Sequence, residues 1–224
     1  MTLTHIAPII FIALWALQSW LIERSPWADQ TLTSMMGKQR RLWVETMAKR
    51  DLRMIDTSII AGLQSGTAFF ASTSLLAIGG AFSLLNSADP ILDLTGAIPY
   101  SSPMSSQLFE AKAVGLMGIF AYAFLKFGWS YRLFNYTSIL VGSVPMLSDE
   151  APASEFRAQV DRTARMSIQA GKEFARGQRA FFIAIAYLGW FLSDIVFLIS
   201  MVAMYGMLIF RQFFSPANAA LALK

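Results

Sequence analysis

Three charged residues sit where apolar sequence surrounds them, and chemistry inside such a setting would start there. Asp194 is the one charge between Ala180 and Phe210. It lies fifteen residues past Arg179, about 22 Å along a helix at 1.5 Å per residue. A carboxylate inside a membrane is costly and marks a candidate functional site by default. Interfacial placement, a pair with Lys112, or hydrogen bonds to Ser193 or Ser200 would remove that cost. Glu110 and Lys112 open the preceding apolar stretch. Two residues apart, they project to different helix faces, and Lys112 can snorkel to the headgroups. A buried Glu110–Lys112–Asp194 cluster would serve ion or proton passage.

A second group, Arg50, Asp51, Arg53 and Asp56, lies just ahead of a long uncharged run. Asp56 is three residues from Arg53 and in helical register to pair with it. The expected role is docking of neighbouring helices, with a phosphate headgroup on Arg50 and Arg53 as the alternative. Within the uncharged run, Gly62 and Gly66 form a G-x-x-x-G step that lets helix backbones approach closely. Packing inside the chain, with Gly115 and Gly118 as an opposing smooth face, is expected there; a dimer or partner interface is the alternative.

Other chemistries lack their residues. Cysteine is absent and His5 is the single histidine; this removes thiol catalysis and Cys-ligated metals and leaves no histidine cluster for a catalytic metal and no Ser-His-Asp triad worth the name. No phosphate-binding glycine loop or dinucleotide fingerprint occurs among the fourteen glycines. No metal, no cofactor and no enzymatic activity are expected. A pI near 9.5 follows from basic loops and requires no nucleic acid.

The elements that carry these residues follow from hydropathy. Of 224 residues, 55% are hydrophobic and 14% charged, with a mean hydropathy of +0.50. Soluble domains carry about 25% charge, so the composition belongs to a membrane protein. Four stretches approach or exceed the roughly 20 apolar residues that cross a bilayer: 6–22, 57–85, 108–141 and 180–210. The first has no Lys or Arg in its leader and ends at Glu23-Arg24-Ser25-Pro26, which predicts a retained helix rather than a cleaved signal. Seven basic residues lie between 24 and 53 and eight between 126 and 179, whereas 86–107 has none. By the positive-inside rule the two basic segments face the cytoplasm. With four spans, both termini are then expected outside, in a bacterial inner membrane.

The basic segments have helical patterns of their own. Met36, Trp43, Met47 and Met54 form an apolar stripe within 34–56, with Glu45 and Lys49 as an i,i+4 pair. A second helix is expected over 154–176, with Phe156, Val160, Ala164 and Phe174 on its less polar side and Pro145 and Pro152 marking breaks ahead of it. These helices either lie on anionic lipid or extend the spans and pack on each other. Pro90, Pro99 and Pro103 predict an irregular outer loop. Trp20, Trp27, Trp129 and Tyr131 suit an aromatic belt. No internal repeat is evident.

Three stretches carry a resemblance: Arg50-Asp51-Leu52-Arg53-Met54-Ile55-Asp56 running into 66–74 (GTAFFASTS); Phe134-Asn135-Tyr136 with Val141-Gly142-Ser143; and Gly177-Gln178-Arg179-Ala180-Phe181-Phe182 leading to Gly189-Trp190-Phe191. Together they resemble domain of unknown function 599, a family of multi-span membrane proteins of proteobacteria and plants. The resemblance implies a multi-span membrane protein and transfers no activity.

The expected fold is one all-α domain over 1–224, a bundle of four transmembrane helices with two amphipathic cytoplasmic segments. The bilayer is the expected partner, with a larger membrane complex or a homo-oligomer beyond it. The expected role is an accessory, scaffolding or assembly subunit. The alternative is a small ion or solute channel or transporter using Asp194, Glu110 or Lys112.

Overall fold

The computed structural model describes residues 3–85, 104–146 and 152–222. In chain order the helices are α1 (Leu3–Glu23), α2 (Leu32–Met47), α3 (Met54–Leu85), α4 (Ser106–Ser143), α5 (Ala153–Tyr187), α6 (Asp194–Phe213) and α7 (Pro216–Ala222), with 3-10 turns at Ala28–Gln30 and Leu188–Phe191. Among the described residues there is no strand. Long helices are what apolar sequence must form in lipid, because each backbone group then finds its partner within the segment. Four are long and apolar enough to cross a membrane, within Ile6–Glu23, Met54–Leu85, Ser106–Ser143 and Asp194–Ala222. The prolines of the expected outer loop lie outside the described residues.

Hydroxyl caps set several of the boundaries. Thr31 accepts the Ser34 backbone N–H at 3.2 Å to start α2, Ser105 accepts that of Leu108 at 3.3 Å to start α4, and Ser193 accepts that of Val196 at 3.2 Å to start α6. Each satisfies a donor that the first helical turn leaves unpaired. At the other end of α1, Ser25 Oγ donates to the Leu21 carbonyl at 2.6 Å.

The run 180–210 is not one span. α5 is continuous from the expected cytoplasmic helix through Tyr187, and the chain then reverses through Leu188–Phe191 into α6. Gly189 permits the tight reversal: a β-carbon there would lie 2.8 Å from Ser200 Oγ and 3.2 Å from the Val196 carbonyl oxygen. The Ser200 hydroxyl is 2.8 Å from the Ala186 carbonyl, tying the two arms together. Trp190 stacks on Phe197 with ring centroids 4.8 Å apart.

The reversal also changes where the chain ends. α4 and α5 are antiparallel, Phe120 meeting Phe181 and Phe127 meeting Phe174. α1 and α6 are parallel, since Phe11 meets Phe197 while Leu21 and Trp27 share a pocket with Phe213 and Phe214. The start of α1 and the end of α6 therefore lie at opposite ends of the bundle, not at the same end as four simple crossings would require.

α4 packs along both α3 and α5. Between them Phe70 stacks on Phe127 at 5.3 Å, and Gly177 lets the Phe127 ring lie where a β-carbon would come within 2.8 Å of it. A polar tie, Gln64 Nε2 donating to Asn135 Oδ1 at 2.6 Å, joins α3 to α4. α2 docks through Val44 and Met47 against Ile60, Val141 and Ala164. Its inward face is thus offset from the expected stripe, and Met36 and Met54 are exposed.

Candidate functional site

The reversal carries Asp194 to the first position of α6, at the bundle end opposite the basic segments. There it accepts the Trp190 indole N–H at 2.7 Å, and a carboxylate is favourable at a helix N-terminus. Lys112 is 3% exposed; its Nζ donates to the Trp190 carbonyl at 2.7 Å and lies 4.9 Å from the Trp190 ring centre. Lys112 and Asp194 are joined through one tryptophan. Glu110 is on another face of α4 and exposed, so the expected three-residue cluster is two residues and a bridging Trp.

The Arg50–Asp56 group is structural in its contacts. Asp56 is fully buried, and its Oδ1 accepts from Arg50 at 2.7 Å and from Trp43 Nε1 at 2.8 Å. Arg53 does not pair with Asp56. Its guanidinium donates instead to the carbonyls of Val141, Val144 and Pro145 at 2.9, 2.6 and 3.0 Å, satisfying acceptors that the end of α4 leaves open. Asp51 is exposed and makes no ion pair among the described residues. The glycine step is also placed differently from expectation. Among the described residues a β-carbon at Gly62 or Gly66 would meet nothing within 4 Å beyond its own helical turn, and Gly115 faces Tyr187 of α5 rather than α3.

The densest charge cluster was not singled out by sequence reasoning. Arg176 and Arg179 of α5 both pair with Glu23 at the end of α1, at 2.6 Å each. Glu173 pairs with Arg176 at 2.5 Å and with Lys126 of α4 at 2.9 Å. The signal was present as charges at 172, 173, 176 and 179, one helical face, but these read as ordinary loop basicity.

Beside this cluster, a cavity of about 210 Å³ lies between α2, α5 and α6. Arg40, Lys172, Arg179 and Arg211 line it, and among the described residues no carboxylate does. Arg40 reaches it across Gly171, where a β-carbon would come within 2.8 Å of its Nε; it donates to Ser167 Oγ at 3.3 Å and lies 5.5 Å from the Phe134 ring centre. Burial holds the Arg40 pKa below the ordinary arginine value. Among the described residues no group of three or more His, Asp or Glu could hold a metal ion.

The architecture is that of an all-helical bundle with four helices fit to cross a membrane and buried polar clusters at both ends. Residues 6–217 match the profile of the family described as protein of unknown function, DUF599, and the chain belongs to that family. No curated protein and no solved structure matches it.

Proposed function

We propose that this protein is a multi-pass membrane protein acting as an accessory or assembly subunit of a larger membrane complex, docking through α3. The observation that carries the reading is the outward face of this 32-residue helix. α3 is packed mainly on α4, and among the described residues nothing packs over Gly62, Gly66, Gly79 or Gly80. A helix-interior glycine costs about 1 kcal/mol relative to alanine, and packing inside the chain does not offset it at these positions. A second helix approaching over Gly62 and Gly66, flanked by exposed Ile59 and Phe69, would gain the close contact that drives association in lipid.

The basic segments gather at the end where α1 and α6 finish, which supports placing that end in the cytoplasm of a bacterial inner membrane. The N terminus is then outside and α7 inside. A channel or transporter built on Asp194, Glu110 and Lys112 is the weaker reading, because Glu110 projects away from the other two.

The test is native mass spectrometry of the protein extracted from its own membranes in mild detergent. Co-purification with other subunits, lost on Gly62→Leu with Gly66→Leu, is expected. A lone monomer or a homo-oligomer would overturn the accessory role.

A further inference from the structure

We propose that the cavity between α2, α5 and α6 is a binding site for a phosphate group, held by Arg40, Lys172, Arg179 and Arg211. Three elements contribute these four cations; Arg179 is paired with Glu23 outside the cavity, and among the described residues no acid lines the cavity to neutralise the other three. The neighbouring cluster is the contrast: there Lys126, Arg176 and Arg179 are matched by Glu23 and Glu173. Among the described residues Arg40, Lys172 and Arg211 make no ion pair.

Arg179 supplies the second, independent observation. It is 7% exposed, and one terminal nitrogen donates to Glu23 at 2.6 Å. Its other terminal nitrogen, Nη1, is buried without an acceptor among the described residues. An unmet buried donor costs about 1–3 kcal/mol, more when charged; Arg179 lines this cavity as well as two neighbouring ones, and an anion bound here would offer it an acceptor. Gly171 is the third: it leaves room for the Arg40 guanidinium where any side chain would meet it. Arginine forks match phosphate oxygens in pairs, and lysine adds a point charge.

Size and position fit the same ligand chemistry. About 210 Å³ is below the roughly 300–1,000 Å³ of drug-sized sites and suits a headgroup-scale anion. The cavity lies where α1 and α6 end, and Leu32, Phe182 and Leu208 line it beside the cations. A phosphate from an anionic lipid headgroup or from a soluble phosphate compound meets the same four cations.

The full chain in phosphatidylcholine nanodiscs doped with phosphatidylglycerol tests this, with bound lipid read by native mass spectrometry and inorganic pyrophosphate as the soluble probe. Wild type is expected to retain phosphatidylglycerol over phosphatidylcholine or to gain thermal stability with pyrophosphate. Arg40→Gln and Lys172→Gln are each expected to weaken that response about tenfold, the scale of one charge-assisted contact. Lys38→Gln, exposed on α2 outside the cavity, is expected to leave it unchanged. Lys172 is itself exposed, so its variant reports binding even if Arg40→Gln fails to fold. Displacement of lipid by pyrophosphate assigns the soluble source, and lipid selectivity untouched by pyrophosphate assigns the headgroup. Indifference of wild type to both ligands overturns the site, as does equal loss in Lys38→Gln.

Discussion

Trp43 of α2 donates its indole N–H to Asp56 at the start of α3 across 2.8 Å, and the acceptor is a carboxylate without solvent exposure. The same oxygen holds Arg50 at 2.7 Å. One side chain thus fixes the angle at which the basic helix α2 meets a long apolar helix. Asp56→Ala leaves the Trp43 donor and the Arg50 charge unmatched, at about 1.5–3 kcal/mol for hydrogen bonds to a charged group. Thermal unfolding in detergent, read by tryptophan fluorescence, is expected to show that loss. Asp51→Ala, at an exposed position without an ion pair, is expected to stay within about 0.5 kcal/mol of wild type.

Two glycines of α5 separate fold from site. At Gly177 a β-carbon would meet the Phe127 ring, inside the packed interface of α4 and α5. Gly177→Ala is expected to destabilise by about 1–3 kcal/mol, the usual range for overpacking. At Gly171 the obstacle is the Arg40 guanidinium, the end of a flexible side chain. Gly171→Ala is expected to leave the unfolding temperature near wild type while weakening phosphatidylglycerol retention. Comparing both readouts for the two variants checks the distinction.

The long helices were legible in the sequence because hydropathy alone sets them: α3 begins three residues before the expected span, and α4 exceeds its span by two at each end. What escaped depended on partners distant in sequence. Gly189 and Ser193 interrupt an apolar run too briefly for a hydropathy window to register, yet together they turn the chain around. Arg40 sits between residues that read as an outward polar face, and it turns inward because α5 presents Gly171 there. Arg53 was expected to pair with the nearest acid in register. The open carbonyls at the end of α4, nearly ninety residues further on, took it instead.

Asp161 gives the contact between α2 and α5 a pH dependence whose sign is fixed. Hydrogen bonds from Arg41 of α2 and Arg165 of α5 hold its pKa below the ordinary carboxylate value. A depressed folded-state pKa contributes stability above the unfolded value, near 3.9, and that contribution is lost as pH falls through the folded value. The unfolding temperature of wild type is therefore expected to drop below about pH 4 more steeply than that of Asp161→Asn. Partial exposure lets salt screen the pair, so the difference between the two proteins is expected to shrink in concentrated salt.

The position of the C-terminal helix decides the topology. Asn218 of α7 donates to the Gln30 carbonyl at 2.8 Å, and Gln212 accepts from the Thr33 hydroxyl at 3.1 Å. The end of α6 and the start of α2 therefore share one side of any membrane that the bundle crosses. The chain has no native cysteine, so single cysteines can be read without background. Lys38→Cys and Ala219→Cys are expected to react with an impermeant maleimide from the same face of sealed vesicles, and Glu110→Cys from the opposite face. If Ala219→Cys instead reacts together with Glu110→Cys, the reversal at Gly189 is wrong and 180–210 is a single span after all. A cytoplasmic face for Lys38→Cys would also support the positive-inside orientation, which the helix packing alone does not determine.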